Sequence, residues 1–421
     1  LMDRYKEAVR SERNIQPLSD DYIKFIRLAH DRIERTGHGV LGFITNHSYL
    51  SGLIHRGMRE ELLKSFDELY VLNLHGNALM GETAPDGGPD ENVFDIRQGV
   101  AIALMVKTGE EDEKRATVRY ADLWGKREDK YRVLNENDVE TLTWEPLAPV
   151  APYYFLVPKD FDLQEEYERG WKIDEVFPVH SSGIKTHRDD FVIDFDRQTL
   201  RNRIALFRQS THTDKEIRAR FDLQDNGAWS LSEARHNLQS QPDWAEALRT
   251  VLYRPFDKRV IYYADDLIDR PRQDVMRHML YENLALLTMR QVVGDPFRHV
   301  LVTKTINDMN VLTSHHVSQV TFPLYLYPNG DFALLLDAAE LSPWEPDAAH
   351  GNRVPNLAPD FVAEMEQKLG LTFDPLCHSE RSEESRSFDY AQDDKRFGPR
   401  DVLAYVYAVF HSPTYRERYA E

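Results

Sequence analysis

Three sets of residues in this chain have types and spacing that could do chemistry. The first is GHGVLG, residues 37–42, with the G-x-G-x-x-G spacing by which backbone N–H groups cradle the phosphates of a dinucleotide. That chemistry needs a strand before the first glycine and a helix after the last, because the phosphates rest on the free N–H groups of a helix start. Here the order is reversed. Tyr22, Ile26, Ala29 and Ile33 recur at helical spacing upstream, with Ser19 and Asp20 as caps, and VLGFITN reads as a strand downstream. The glycines therefore make a helix-to-strand turn. The second set is basic and aromatic residues interleaved in GIKTHRDDFVIDFDRQTLRNRIALFR (183–208), YRPFDKRVIYY (253–263) and RPRQDVMRHM (270–279). Such segments can grip a phosphate backbone and stack on bases. They equally suit arginines packed on core aromatics. The third set is the 16 histidines, which contain no H-E-x-x-H, and whose pair His315–His316 reads as structural. No metal site is expected.

Several elements must position these groups. VLGFITN, a nearly continuous apolar run, is expected to be a strand buried on both faces of a parallel sheet. RGMREELLKSF (56–66) is expected to be a helix, ELYVLNLH (68–75) a second buried strand and residues 99–107 a third, after a glycine- and proline-rich loop. Strand, helix and strand in this order point to a partial doubly wound α/β sheet, whose ligands bind at the carboxyl ends of strands. Asn46, His47 and Ser48 stand at such an end, where pocket lining and helix capping are both open to them. From about residue 146 the texture changes to an aromatic-rich α+β region. Residues 377–397 are polar and almost free of aliphatics, and read as an insertion into a surface loop. A helix with Leu403, Tyr407 and Phe410 on one face follows, then a break at Pro413.

With 421 residues the chain has room for two or three domains. Cys377 is its only cysteine, which excludes an internal disulfide and a cysteine-based zinc site and fits the cytoplasm. No run approaches the roughly 18 apolar residues of a membrane span. The net charge of −19 argues against indiscriminate coating of nucleic acid. Residues 249–304, however, carry ten Lys and Arg against seven Asp and Glu, a local +3 that leaves −22 on the rest.

Six blocks resemble, in order, the C-terminal part of the type ISP restriction–modification enzymes and related adenine-specific DNA methyltransferases. They are GVLGFITNHSYL with MREELLKSFDELYVLNLHGN, then ENVFDIRQGVAIALMVK, SSGIKTHRDDF, LYRPFDKRVIYY, FPLYLYP and YVYAVFHSPTYRERYAE. The resemblance implies that residues 1–125 are the second half of an S-adenosylmethionine-dependent methyltransferase fold. Residues 126–421 would then be a target recognition domain that reads double-stranded DNA. It also implies an N-P-P-[YFW] loop to hold the flipped adenine and an F-x-G-x-G loop for the cofactor. Neither occurs in this sequence, where GDPF (294–297) is the nearest fragment. Both motifs precede the first matching block in the family, so the catalytic half, with any helicase and nuclease portions, is expected to lie outside this chain. The chain alone is expected to carry no catalytic residue and to bind S-adenosylmethionine weakly or not at all.

By the same resemblance Asn46 and Tyr49 would border the base or cofactor pocket. For DNA contact the first candidates are Lys185, Thr186 and Arg188, where a loop beside a glycine could approach a groove. Arg254, Arg259, Arg270 and Arg272 follow, as phosphate contacts or as partners of Asp257 and Asp269. Two rival readings stay open: a stand-alone DNA specificity subunit, and an unrelated α/β enzyme with an aromatic-rich lid.

Overall fold

The computed structural model describes the chain except for residues 13, 110–114, 227–228, 293–295, 315–316, 329–343, 345, 378–394 and 420–421. The pair His315–His316, half of GDPF and most of the 377–397 segment thus fall outside the described residues. The chain divides into two compact units, Leu1–Asp162 and Leu163–Glu421.

In the first unit, helix α1 (Asp21–Thr36) ends at Gly37, whose φ of +81° suits glycine and whose N–H closes the last turn on the Ile33 carbonyl at 2.9 Å. Strand β1 (Gly39–Asn46) begins two residues later, so the helix-to-strand turn is Gly37–His38 and the rest of GHGVLG already lies in the strand. Helix α2 (Arg56–Ser65) joins β1 to β2 (Glu68–His75), and β3 (Val100–Lys107), β4 (Thr117–Asp122), helix α3 (Arg127–Glu136) and β5 (Glu145–Leu147) follow. The sheet order is β1-β3-β2-β4-β5. Only β2 and β4 pair in parallel; β3 lies antiparallel between β1 and β2.

That arrangement corrects the expectation of a fully covered parallel strand at residues 40–46. Among the described residues β1 is the outermost strand, bonded to β3 alone, and its apolar residues alternate: Leu41 is 6 % exposed, whereas Val40 and Ile44 are 68 % and 51 % exposed. One face packs under α1 and α2 through Ile23, Ile26, Met58 and Leu62. The other is covered at its far end by α3, through Leu134 with Leu72 and Val100. The buried stripe of α1 is also rotated from the apolar one, because it includes Arg27 and His30. Arg27 donates to Glu34 at 3.1 Å and the Tyr5 hydroxyl bonds to His30 at 2.9 Å, so polar pairing substitutes for apolar contact there.

The second unit has two four-stranded sheets. One combines β7 (Ile193–Asp194), the hairpin β8 (Leu248–Arg254) and β9 (Asp257–Tyr262), and β12 (Ile306–Asn307), with helices α4 (Arg197–Phe207), α5 (Asp214–Phe221) and α6 (Leu231–Ser240) packed on it. The other combines β6 (Ser181–Ser182), β10 (Ala285–Thr288), β11 (Val300–Thr303) and β13 (Val320–Pro323). Helices α7 (Pro359–Leu369) and α8 (Pro399–His411) close its core with Phe361, Val402, Leu403 and Val406. The molecule is thus mixed α/β with several sheets. Among the described residues no helix is long and apolar enough to cross a membrane.

Candidate nucleic-acid interface

In the second unit, four sequence segments converge on the loop that follows β6. Residues 183–186 lie as an extra rung between two others: Ile184 donates to the Asn307 carbonyl and accepts from Met309, both at 2.9 Å, while Lys185 and Arg270 exchange backbone bonds of 3.1 and 2.8 Å. Gly183 makes this possible, since a Cβ there would stand 2.4 Å from the Asp308 carbonyl oxygen. Thr186 is 1 % exposed; its hydroxyl donates to Asp189 and accepts the Arg188 N–H at 3.1 Å, which pins the turn. Tyr253 donates to the same Asp189 at 2.9 Å, and burial with that bond raises its pKa.

The cations predicted from sequence fall into two groups around this turn. Arg188 faces inward: it is stacked 4.0 Å over Trp229, donates to the Leu267 carbonyl at 2.9 Å, and burial lowers its pKa. Thr186 and Arg188 therefore hold the loop's shape. Lys185, half-buried, and Arg270, with a side chain 55 % exposed, stand together through their backbone rung. Arg270 is 3.7 Å from Asp269, a loose pairing. Arg272 has a φ of +54° and a half-buried side chain at the start of a short helix.

Arg254 and Arg259 form a ladder with aromatic rungs. Arg254 lies 3.9 Å over one face of Tyr253, and Arg259 lies 4.1 Å from Tyr253 and 4.1 Å from Phe195. Each stack contributes about 0.5–1 kcal/mol at such exposure. Asp257 grips Arg259 with two bonds of 3.0 and 2.8 Å and raises its pKa, while Asp308 pairs with Arg254 at 2.8 Å. Burial keeps the Asp308 pKa raised despite that partner and the Asn310 N–H. Beside the ladder lies a groove of about 630 Å³ lined by Arg254, Pro255, His299, Asn310 and Thr313 among others. Sequence reasoning missed Asn310 and His299, since an isolated Asn or His carries no pattern.

The first unit holds a different constellation at the carboxyl ends of β1, β2 and β4. Asn46 accepts from the backbone N–H and hydroxyl of Ser48 at 2.8 and 2.6 Å, a local turn just ahead of the short helix Ser48–Ser51. Tyr49 is fully buried in the core with Tyr22 beside it. A network that the sequence did not reveal lies close by. His75 stacks on Trp124 at 3.3 Å, with Nδ1 2.7 Å from Glu82 and Nε2 2.6 Å from Asp122. Burial alone would lower its pKa, but the two carboxylates outweigh it and raise it. His47 bonds Asn73 at 3.0 Å and Asn73 bonds the Tyr120 hydroxyl at 3.2 Å, extending the network.

Residues 175–421 match the model of the Type ISP C-terminal specificity domain. The chain belongs to the Type ISP specificity-domain family. All seven residues proposed for DNA contact lie inside the matched span of this Type ISP chain. No curated protein matches it. Three solved structures share its fold over 99 % of its length. DrdV in complex with DNA, solved by cryo-electron microscopy, aligns with a TM-score of 0.64 at 22 % identity. The ATP-dependent Type ISP restriction–modification enzyme LlaBIII bound to DNA aligns at 0.62 and 24 %. A nuclease-deletion mutant of the Type ISP enzyme LlaGI with a DNA substrate mimic aligns at 0.60 and 20 %. The chain spans 38 %, 26 % and 35 % of those three chains respectively.

Proposed function

We propose that this Type ISP chain selects the DNA sequence on which a restriction–modification enzyme acts. The observation that carries this reading is the specificity-domain match over residues 175–421. The three DNA-bound proteins of the same fold support it. Within the second unit, Lys185, Arg254 and Arg270 would hold phosphates. Asn310, at the groove wall, has the side-chain type that binds an adenine edge with two hydrogen bonds, a pair that contributes about 1–3 kcal/mol of discrimination. Arg188 and Thr186 would act indirectly, by fixing the loop.

Residues 1–125, which lie within the first unit, we read as the closing part of a methyltransferase-like domain, following the resemblance of their sequence blocks. Its support in the fold is the free outer edge of β1, with exposed Val40 and Ile44, onto which further sheet could add. In the intact cytoplasmic enzyme, S-adenosylmethionine bound elsewhere would supply the methyl group for adenine N6. On this reading the residues that perform that step belong to the rest of the enzyme. This chain's own residues choose and hold the duplex.

A gel-shift titration of the 421-residue chain on mixed-sequence duplex DNA across a salt series tests the proposal. Binding should weaken with salt, while a sequence-selected subset of duplexes persists. Absence of binding at low salt overturns it. Labelled methyl transfer to oligonucleotides by the chain unaided would overturn the assignment of catalysis elsewhere.

A further inference from the structure

We propose that the tip of the β8–β9 hairpin is a wedge for stacked DNA, with Phe256 entering between neighbouring base pairs while Arg254 and Lys258 hold the flanking phosphates. The proposal rests on the DNA reading above and adds to it a residue and a mode of contact.

Phe256 is 89 % exposed, the most open large apolar side chain among the described residues. It also has a φ of +62°, in the left-handed region that a bulky residue enters at a cost. Arg254 pairs with Asp257 across the hairpin, so Pro255 and Phe256 are its two loop residues. Proline followed by a positive φ is the pattern of a type II turn, where glycine serves the backbone best. The fold would thus be better served by another residue at 256.

The tip is held stiffly. Behind it stands the ladder Arg254, Tyr253, Arg259 and Phe195, with ring-to-guanidinium distances of 3.9, 4.1 and 4.1 Å. Asp257 and Asp308 are taken up by Arg259 and Arg254, and Lys258 is exposed beside the tip. The projecting surface is therefore the Phe256 ring with Lys258 beside it, backed by the paired Arg254 and Arg259 and by the 72 % exposed Phe195. A protein partner would bury a continuous apolar patch, wider than two rings with a guanidinium lying against one of them. A stacked polyanion fits better, because its apolar surface is reached only between base pairs, where phenylalanine and proline wedges enter from the minor groove.

The test uses the 421-residue chain, relaxed closed-circular plasmid and topoisomerase I. Wild type should leave the plasmid with a shifted topoisomer distribution, since a wedge unwinds the step it enters. F256A should abolish that shift and weaken binding by about tenfold or more, from loss of one base–aromatic stack, with an unchanged salt slope. K258A should instead lower the slope by about one, from loss of one phosphate contact. F256G should raise the melting temperature by relieving the backbone and still abolish the topological shift, while F256W should keep it. Plasmid binding by wild type with no topoisomer shift, or F256A indistinguishable from wild type, overturns the wedge and leaves the DNA reading intact. Failure of wild type to bind plasmid at low salt overturns both.

Discussion

The two units cluster charged and aromatic side chains in opposite ways. In the first, polar groups close on one another. Lys130 and Asp90, both with fully buried side chains, meet at 2.7 Å, and the Lys130 ammonium also donates to the Leu74 and Glu91 carbonyls. His75 spends both ring nitrogens on Glu82 and Asp122. In the second, Arg259 and Arg254 are braced by rings and carboxylates but keep side chains 25 % and 39 % exposed. The contrast teaches that a charged cluster stays open to a ligand only when bracing leaves hydrogen-bonding capacity facing solvent.

Four measurements would break or sharpen that contrast. Lys130→Ala should have the largest effect, about 3–5 kcal/mol lost in urea unfolding, because it leaves a buried carboxylate without its partner. Its DNA affinity at a temperature where it stays folded should be unchanged. A variant as stable as wild type would remove the first unit's network from the structural side. Arg188→Ala is next, with about 1–3 kcal/mol lost as its carbonyl bond and Trp229 stack disappear. Relaxed site preference in that variant, without loss of stability, would return Arg188 to the reading surface.

Lys185→Ala and Arg270→Ala should each alter stability by no more than about 0.5 kcal/mol. Each should reduce the salt slope of DNA binding by about one. Slopes equal to wild type would show that these cations face no phosphate. The smallest effect concerns pH. The folded pKa of His75 is raised, so its contribution to stability is complete below the ordinary histidine value and is lost as pH rises through the folded value. His55 and His278, lowered by burial to about 4 and about 3, act in the opposite sense and cost stability as pH falls below about 6.5. Melting curves of wild type and His75→Gln should therefore converge on the alkaline side. A gap that widened there would invert the assignment.

Local signals were legible in the sequence where one stretch of chain decides the outcome. The turn at Gly37, the strands at 40–46, 68–75 and 100–107, and the helix before Pro413 all follow from periodicity and punctuation. The insertion of β3 between β1 and β2 did not, because strand partners are chosen at long range and an apolar run looks the same in either direction. Side-chain fate was equally hidden. Arg188 and Arg254 stand in similar basic and aromatic surroundings, yet one turns onto Trp229 and a buried carbonyl and the other onto an open groove. The His75 network joins residues 47 positions apart, beyond any local pattern.

The missing side chain at position 183 has a consequence for how such a protein could change what it reads. With the Asp308 carbonyl oxygen 2.4 Å from where a Cβ would be, the height of the loop above its support is set by backbone alone. The letter at 185 can then be exchanged without refitting the platform beneath it, whereas His187, at a φ of +58° and 3.1 Å from Asp269, is tied to that platform. New preferences would arise by swapping fingertips on a hand whose knuckle stays fixed.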